Sequence, residues 1–336
     1  MASPSRAPQV GQSLGGVLGQ RLWNAVGTLV QPVRPLQWDA TNTVANRARV
    51  IAVSAQKGGV GKTTTAVHLA AGLAQHHGLH VLLVDLDAQG HVASSLRAHL
   101  RTGADTYVSQ ALLAHDPDLA GAATPTTLPR LHITLADKQL SNAEAQLATR
   151  MGRDLVLARA LRTVRSRFDV IVIDCPPNLG LLTLNALYAA DQLLVPCDLS
   201  VLALEGVDDL MRTLQTLQWT LGRCPQVLGL LHTRVDRRNH KQNSAMRRAI
   251  AQSYHGLSLR TEIGVNTALP GAQLQGKVVF EAQPESSGAR DYRSLCDEVH
   301  LRLFADSQDS HVPPPLFKPL ITLPSPRRTG AVAAPR

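Results

Sequence analysis

Between residues 49 and 305 the chain alternates short, almost wholly apolar runs with longer stretches whose apolar residues recur every three to four positions. The short runs fall at 50–54, 80–85, 169–174, 192–196 and 227–231. Their β-branched content and brevity predict strands, and their continuous apolar character predicts burial on both faces. Each is followed by a polar or glycine-rich turn and then by a helical stretch, such as 65–74. The fold class that follows is α/β, a mainly parallel twisted sheet flanked by helices. Ligands in such sheets bind beyond the carboxyl ends of the strands, so the residues just after each run are the functional candidates.

The flanks have a different pattern. Residues 1–48 are rich in Gly, Pro, Gln and Ser, yet Leu14, Val17, Leu18, Leu22, Ala25, Val26, Leu29 and Val30 recur at helical spacing beside Trp23. This N-terminal extension is expected to carry an amphipathic helix, packed on the domain as an arm or serving as a docking site for a partner. Residues 306–336 contain Pro313, Pro314, Pro315, Pro319, Pro324, Pro326 and Pro335 and are expected to be a disordered tail.

Three strand ends carry chemistry. The first reads Lys57-Gly58-Gly59-Val60-Gly61-Lys62-Thr63-Thr64 ahead of a helical run. A phosphate chain needs converging backbone N–H groups, a helix N-terminus, a lysine for the β- and γ-oxygens and a hydroxyl for Mg²⁺. Gly61, Lys62 and Thr63 supply these in order, although Gln56 stands where the strict G-x-x-x-x-G-K-[ST] pattern has its first glycine. The expected ligand is therefore a nucleotide's phosphate chain with Mg²⁺. The second end offers Asp85 and Asp87, two carboxylates at i and i+2 that leave a strand on the same side. The third closes an apolar strand with Asp174, a carboxylate costly to bury unless a cation or hydrogen-bond donors meet it.

Charge adds a polyanionic partner. The net charge is +9, and the pI near 9.9 makes nucleic acid the usual candidate. Aromatic residues form only 3% of the chain, which disfavours a binder that stacks single-stranded bases. Arg234, Arg237, Arg238, His240, Lys241, Arg247 and Arg248 cluster after the run ending near Leu231 and could pair with DNA phosphates without reading sequence, or form a solvated helix face. Cys175, Cys197, Cys224 and Cys296 show neither disulfide nor metal spacing, which fits a reducing cytoplasm, and no apolar run is long enough to span a membrane.

The phosphate-loop residues resemble the deviant Walker A motif of the ParA/MinD ATPases, with Lys57 as the second, signature lysine. Asp85-Leu86-Asp87-Ala88-Gln89-Gly90-His91 is similar to that family's D-x-D-P-Q-G-N segment, with Ala88 for Pro and His91 for Asn. Similarity extends over about residues 49–303, including 179–187, 203–206 and 287–289. The resemblance implies an ATPase, slow and partner-stimulated, that dimerises with ATP sandwiched between two copies. Lys57 would then reach the partner's phosphates, Asp87 would orient the attacking water, and Asp85 and Asp174 would support the Mg²⁺ shell. Within the family, an iron–sulfur reductase needs cysteines this chain lacks, and the proline-broken C-terminus departs from the basic membrane helix of the division regulators. What remains is DNA partition of a chromosome or plasmid with a ParB-like activator at the nucleoid, or positioning of a protein cargo there. Arg238 lies where partition members carry a DNA-contacting arginine, but Val265 and Ala268 stand where they carry two more.

Overall fold

The computed structural model describes residues 48–101 and 106–304. In chain order the elements are β1 (Arg49–Val53), α1 (Lys62–His76), β2 (Val81–Asp85), α2 (His91–Ser95), α3 (Val108–Leu113), β3 (Thr124–Pro125), β4 (Leu131–Thr134), α4 (Gln139–Leu147), α5 (Val156–Ala160) and β5 (Val170–Asp174). They continue with α6 (Leu181–Ala189), β6 (Gln192–Cys197), α7 (Val201–Leu221), β7 (Gln226–Val235), α8 (His240–Ser253), β8 (Ser258–Gly264), α9 (Ala268–Gln275), α10 (Val279–Ala282) and α11 (Ser287–Phe304). The predicted N-terminal helix and proline-rich tail lie outside the described residues.

One eight-stranded sheet runs in the order β3-β4-β2-β5-β1-β6-β7-β8, parallel except for the β3–β4 pair. Along β1, Val50 and Ala52 join the core on one face while Ile51 and Val53 join the core on the other. Both faces are therefore dry, which is why the strands read as continuous apolar runs. The register aligns Val53 with Asp174 and Asp85 with Asp174, so three adjacent strands end level.

Helix α1 binds the sheet to α11. Gly72 lets the two helices approach so closely that a Cβ there would stand 2.3 Å from the Cys296 sulfur. Beside it, Thr65 and the Tyr292 hydroxyl lie 3.2 Å apart, and buried His68 accepts the Val279 N–H at 3.0 Å. Burial pushes the His68 imidazole down to about 4, more than its bond to the Thr64 carbonyl raises it. It is therefore a neutral acceptor for the Val279 N–H.

Two boundaries differ from expectation in ways that matter. Helix α1 begins at Lys62, so the lysine and threonine of the phosphate loop belong to its first turn. Strand β7 continues to Val235, four residues past the end of its apolar run, because His232 and Thr233 are buried polar residues with internal partners. His232 lies 3.2 Å from the Ser258 hydroxyl, and Thr233 donates to the Val60 carbonyl at 2.8 Å. Arg234 thus belongs to the strand rather than to the segment after it.

Candidate nucleotide site

The loop from β1 to α1 turns on two left-handed glycines, Gly59 (φ 75°) and Gly61 (φ 85°), conformations in which a Cβ would be strained. Gly61 caps the 15-residue α1, whose first N–H groups are left without helical partners. Lys62 is buried, with its ammonium 3.2 Å from the Lys57 carbonyl. Desolvation lowers its pKa, while the charges of Asp174 and Asp87 and the neighbouring Cys175 act in the opposite sense. A cation held in this way gains most from an incoming anion.

Asp85 and Asp174 are both fully buried at the level ends of β2 and β5. Asp85 accepts the Asp87 N–H at 3.0 Å, and Asp87 accepts the Gln89 N–H at 3.0 Å, which fixes the turn and the Asp87 carboxylate. Burial and then the neighbouring Asp174 charge push Asp85 well above the usual carboxylate range. Burial likewise pushes Asp174 up to about 7; the Thr63 hydroxyl alongside pulls it down, though without a well-formed hydrogen bond. Both Asp174 oxygens and one Asp85 oxygen are buried without a hydrogen-bond partner. Two hard carboxylates with orphaned lone pairs beside a threonine hydroxyl fit a magnesium ion. Among the described residues no group of three or more His, Cys, Asp or Glu is placed to hold a metal ion. Cys175, inside this motif, is buried with its thiol pushed far up, and it acts as packing.

Lys57 lies outside this nest. Its ammonium pairs with Asp198 at 2.7 Å and with the Ser200 hydroxyl at 3.3 Å. Burial would raise the Asp198 carboxyl, but hydrogen bonds from Lys57 and Ser200 and the charges of Lys57 and Arg234 outweigh it and hold the group below its ordinary value. Asp198 and Ser200 were not among the candidates read from the sequence. The signal was available, since Asp198 directly follows β6 at the same sheet edge.

The basic cluster divides. Arg234 donates to the Gly59 carbonyl at 3.1 Å and so belongs to the phosphate loop's surroundings. Arg237 pairs with Asp291 at 3.2 Å, Arg238 with Asp236 at 2.8 Å and Arg247 with Glu262 at 2.6 Å. His240, Lys241 and Arg248 are exposed at or along α8. Of the two positions without the family's arginines, Val265 is 65% exposed and Ala268 is buried.

A glycine-turned loop opening a helix, a buried lysine and paired acidic strand ends define a P-loop nucleotide-binding α/β protein. Residues 48–224 match the AAA domain family. The sporulation initiation inhibitor protein Soj of Bacillus subtilis is 37% identical over 251 residues, 75% of this chain and 98% of its own. The chromosome partitioning protein ParA of Caulobacter vibrioides is 35% identical over 76% of this chain and 95% of its own. A crystal structure of cobyrinic acid a,c-diamide synthase from Mycobacterium smegmatis with bound ADP and magnesium is 35% identical, with a TM-score of 0.65 over 76% of this chain and 95% of that one. The chain belongs to the ParA/Soj family of ATPases. Among the described residues no helix is long and apolar enough to cross a membrane.

Proposed function

We propose that this chain is an ATP-driven dimerisation switch that partitions a chromosome or plasmid. In the ATP state two copies face each other across their nucleotides, and the dimer binds duplex DNA without reading sequence. A ParB-like protein then stimulates hydrolysis and release. Lys62 and the first N–H groups of α1 bind the β- and γ-phosphates, and Asp87 accepts a hydrogen bond from the attacking water. A magnesium ion bound with ATP would be held by the Thr63 hydroxyl and, through water, by Asp174 and Asp85, and would neutralise charge on the phosphate oxygens.

The observation that carries this reading is the position of Lys57. Its own phosphate nest already has Lys62, while Lys57 is held at the rim by Asp198, next to a Gly58 with open space around it. Val201 and Leu202, 64% and 66% exposed, stand on the same rim at the start of α7. A half-buried cation at the rim, a bare glycine and two apolar side chains make a face that a second copy can close. Light scattering of the full chain should show a dimer with Mg-ATP and a monomer with ADP; a monomer in both would overturn the reading.

Positioning of a protein cargo is a second reading, favoured by the carboxylates that already occupy Arg237, Arg238 and Arg247. Binding of random duplex DNA by the ATP-loaded chain separates the two.

A further inference from the structure

Two successive residues of β7 reach the phosphate loop. The Thr233 hydroxyl donates to the Val60 carbonyl and the Arg234 guanidinium to the Gly59 carbonyl. Neighbours in an extended strand point to opposite faces, so a regular strand could not deliver both. Arg234 departs from the strand conformation: its φ is 54°, in the left-handed region that a residue with a Cβ seldom enters. Pairing of β7 with β8 also slips between His232 and Val235. Irregularities of this kind re-aim a side chain, and such backbone strain persists where the surrounding contacts hold it.

The two bonds orient the loop. In a trans peptide the carbonyl and the N–H of one unit point in opposite directions. The Gly59 carbonyl belongs to the same peptide as the Val60 N–H, and the Val60 carbonyl to that of the Gly61 N–H. Holding both carbonyls from β7 turns both N–H groups away from β7, as a phosphate nest requires.

We infer that Arg234 is a positioning residue for ATP: its left-handed backbone aims the guanidinium at the Gly59 carbonyl and braces the phosphate loop. This rests on the nucleotide site proposed above.

The test uses full-length Arg234→Gly and Arg234→Lys with a fluorescent ATP analogue and Mg²⁺, without DNA, alongside melting curves without nucleotide. Glycine accepts a φ of 54° at no steric cost, so Arg234→Gly should melt at or above the parental temperature. It should nevertheless bind the analogue about tenfold more weakly, the scale of one lost charge-assisted hydrogen bond. Arg234→Lys should recover part of the affinity while keeping the strain. Stability and affinity moving in opposite directions is an outcome that a purely structural arginine would not give. Nucleotide affinity within about twofold of the parent would overturn the inference, whether or not DNA binding falls, and so would a joint loss of stability and affinity. Failure of the parent to dimerise or bind DNA would count against the partition reading and leave this affinity comparison intact.

Discussion

Asp174 pairs full burial with two oxygens that receive no hydrogen bond, an arrangement that burdens folding of the nucleotide-free chain. Its pKa is raised to about 7 by burial above all, so the folded state holds a proton that the unfolded chain releases near the ordinary carboxylate value. Stability without nucleotide should therefore fall as pH rises from about 4 to about 7, and Asp85 acts in the same direction. Asp174→Asn removes the charge at constant shape. It should raise the stability of the nucleotide-free chain at pH 8 by about 1–3 kcal/mol, a few degrees of melting temperature, and flatten the pH dependence. The same variant should lose the extra stability that the parent gains from Mg-ATP. Melting curves with and without Mg-ATP check both parts, and an unchanged Mg-ATP gain would remove Asp174 from the magnesium site.

At the scale of elements, the meeting of α1 and α11 sets two effects against each other. Replacing a helical glycine with alanine gains about 1 kcal/mol of helix propensity. At Gly72 the added carbon would stand 2.3 Å from the Cys296 sulfur and 3.2 Å from the Phe280 ring, inside a packed core. Overpacking of that kind costs about 1–3 kcal/mol, so Gly72→Ala should lower the melting temperature, and an increase would show that the helices separate freely. The same scale shows what the sequence could disclose. β1, β2, β5 and β6 were legible because burial on both faces leaves one unbroken apolar run. β8 was not: it is an edge strand in which Leu259 and Ile263 are buried and the rest are partly or fully exposed, so its pattern is diluted. The end of β7 was hidden by His232 and Thr233, whose polarity is satisfied only in the folded chain. The site divides in the same way. Lys57–Thr64, Asp85, Asp87 and Asp174 stand in local motifs at strand ends. The place of Asp198 just after β6 and the basic character of Arg234 were readable, but the Asp198 contact to Lys57 spans 141 residues and the Arg234 contact to Gly59 spans 175, so no local pattern announces what either side chain meets.

For the whole molecule, the proposed dimer turns on the face around Gly58, where a Cβ would meet nothing within 4 Å in a single copy. Gly58→Val should therefore leave folding and nucleotide affinity near parental values and still block ATP-dependent dimerisation, as light scattering would show; undiminished dimerisation would place the interface elsewhere. DNA binding depends on that dimer, because pairing two weak faces multiplies their effective affinity. The arginines at the start of α8 are partly occupied, yet Arg237 and Arg238 keep side-chain exposures of 68% and 88%. Exposed ion pairs hold weakly, so phosphates can displace the carboxylates. Charge reversal at Arg237 and Arg238 together should abolish ATP-dependent binding of random duplex DNA while sparing dimerisation. Asp236→Asn makes the sharper test, since Asp236 is the carboxylate that holds Arg238. Arg238 then no longer divides its time between carboxylate and phosphate, which should strengthen binding about threefold and steepen the dependence of log K on log salt by at most about 0.9, the increment for one whole phosphate contact. Fluorescence anisotropy across a salt series reads both quantities on the same samples. Unchanged affinity and slope in Asp236→Asn, with dimerisation intact, would show that phosphates do not engage Arg238, and would favour a protein cargo over DNA.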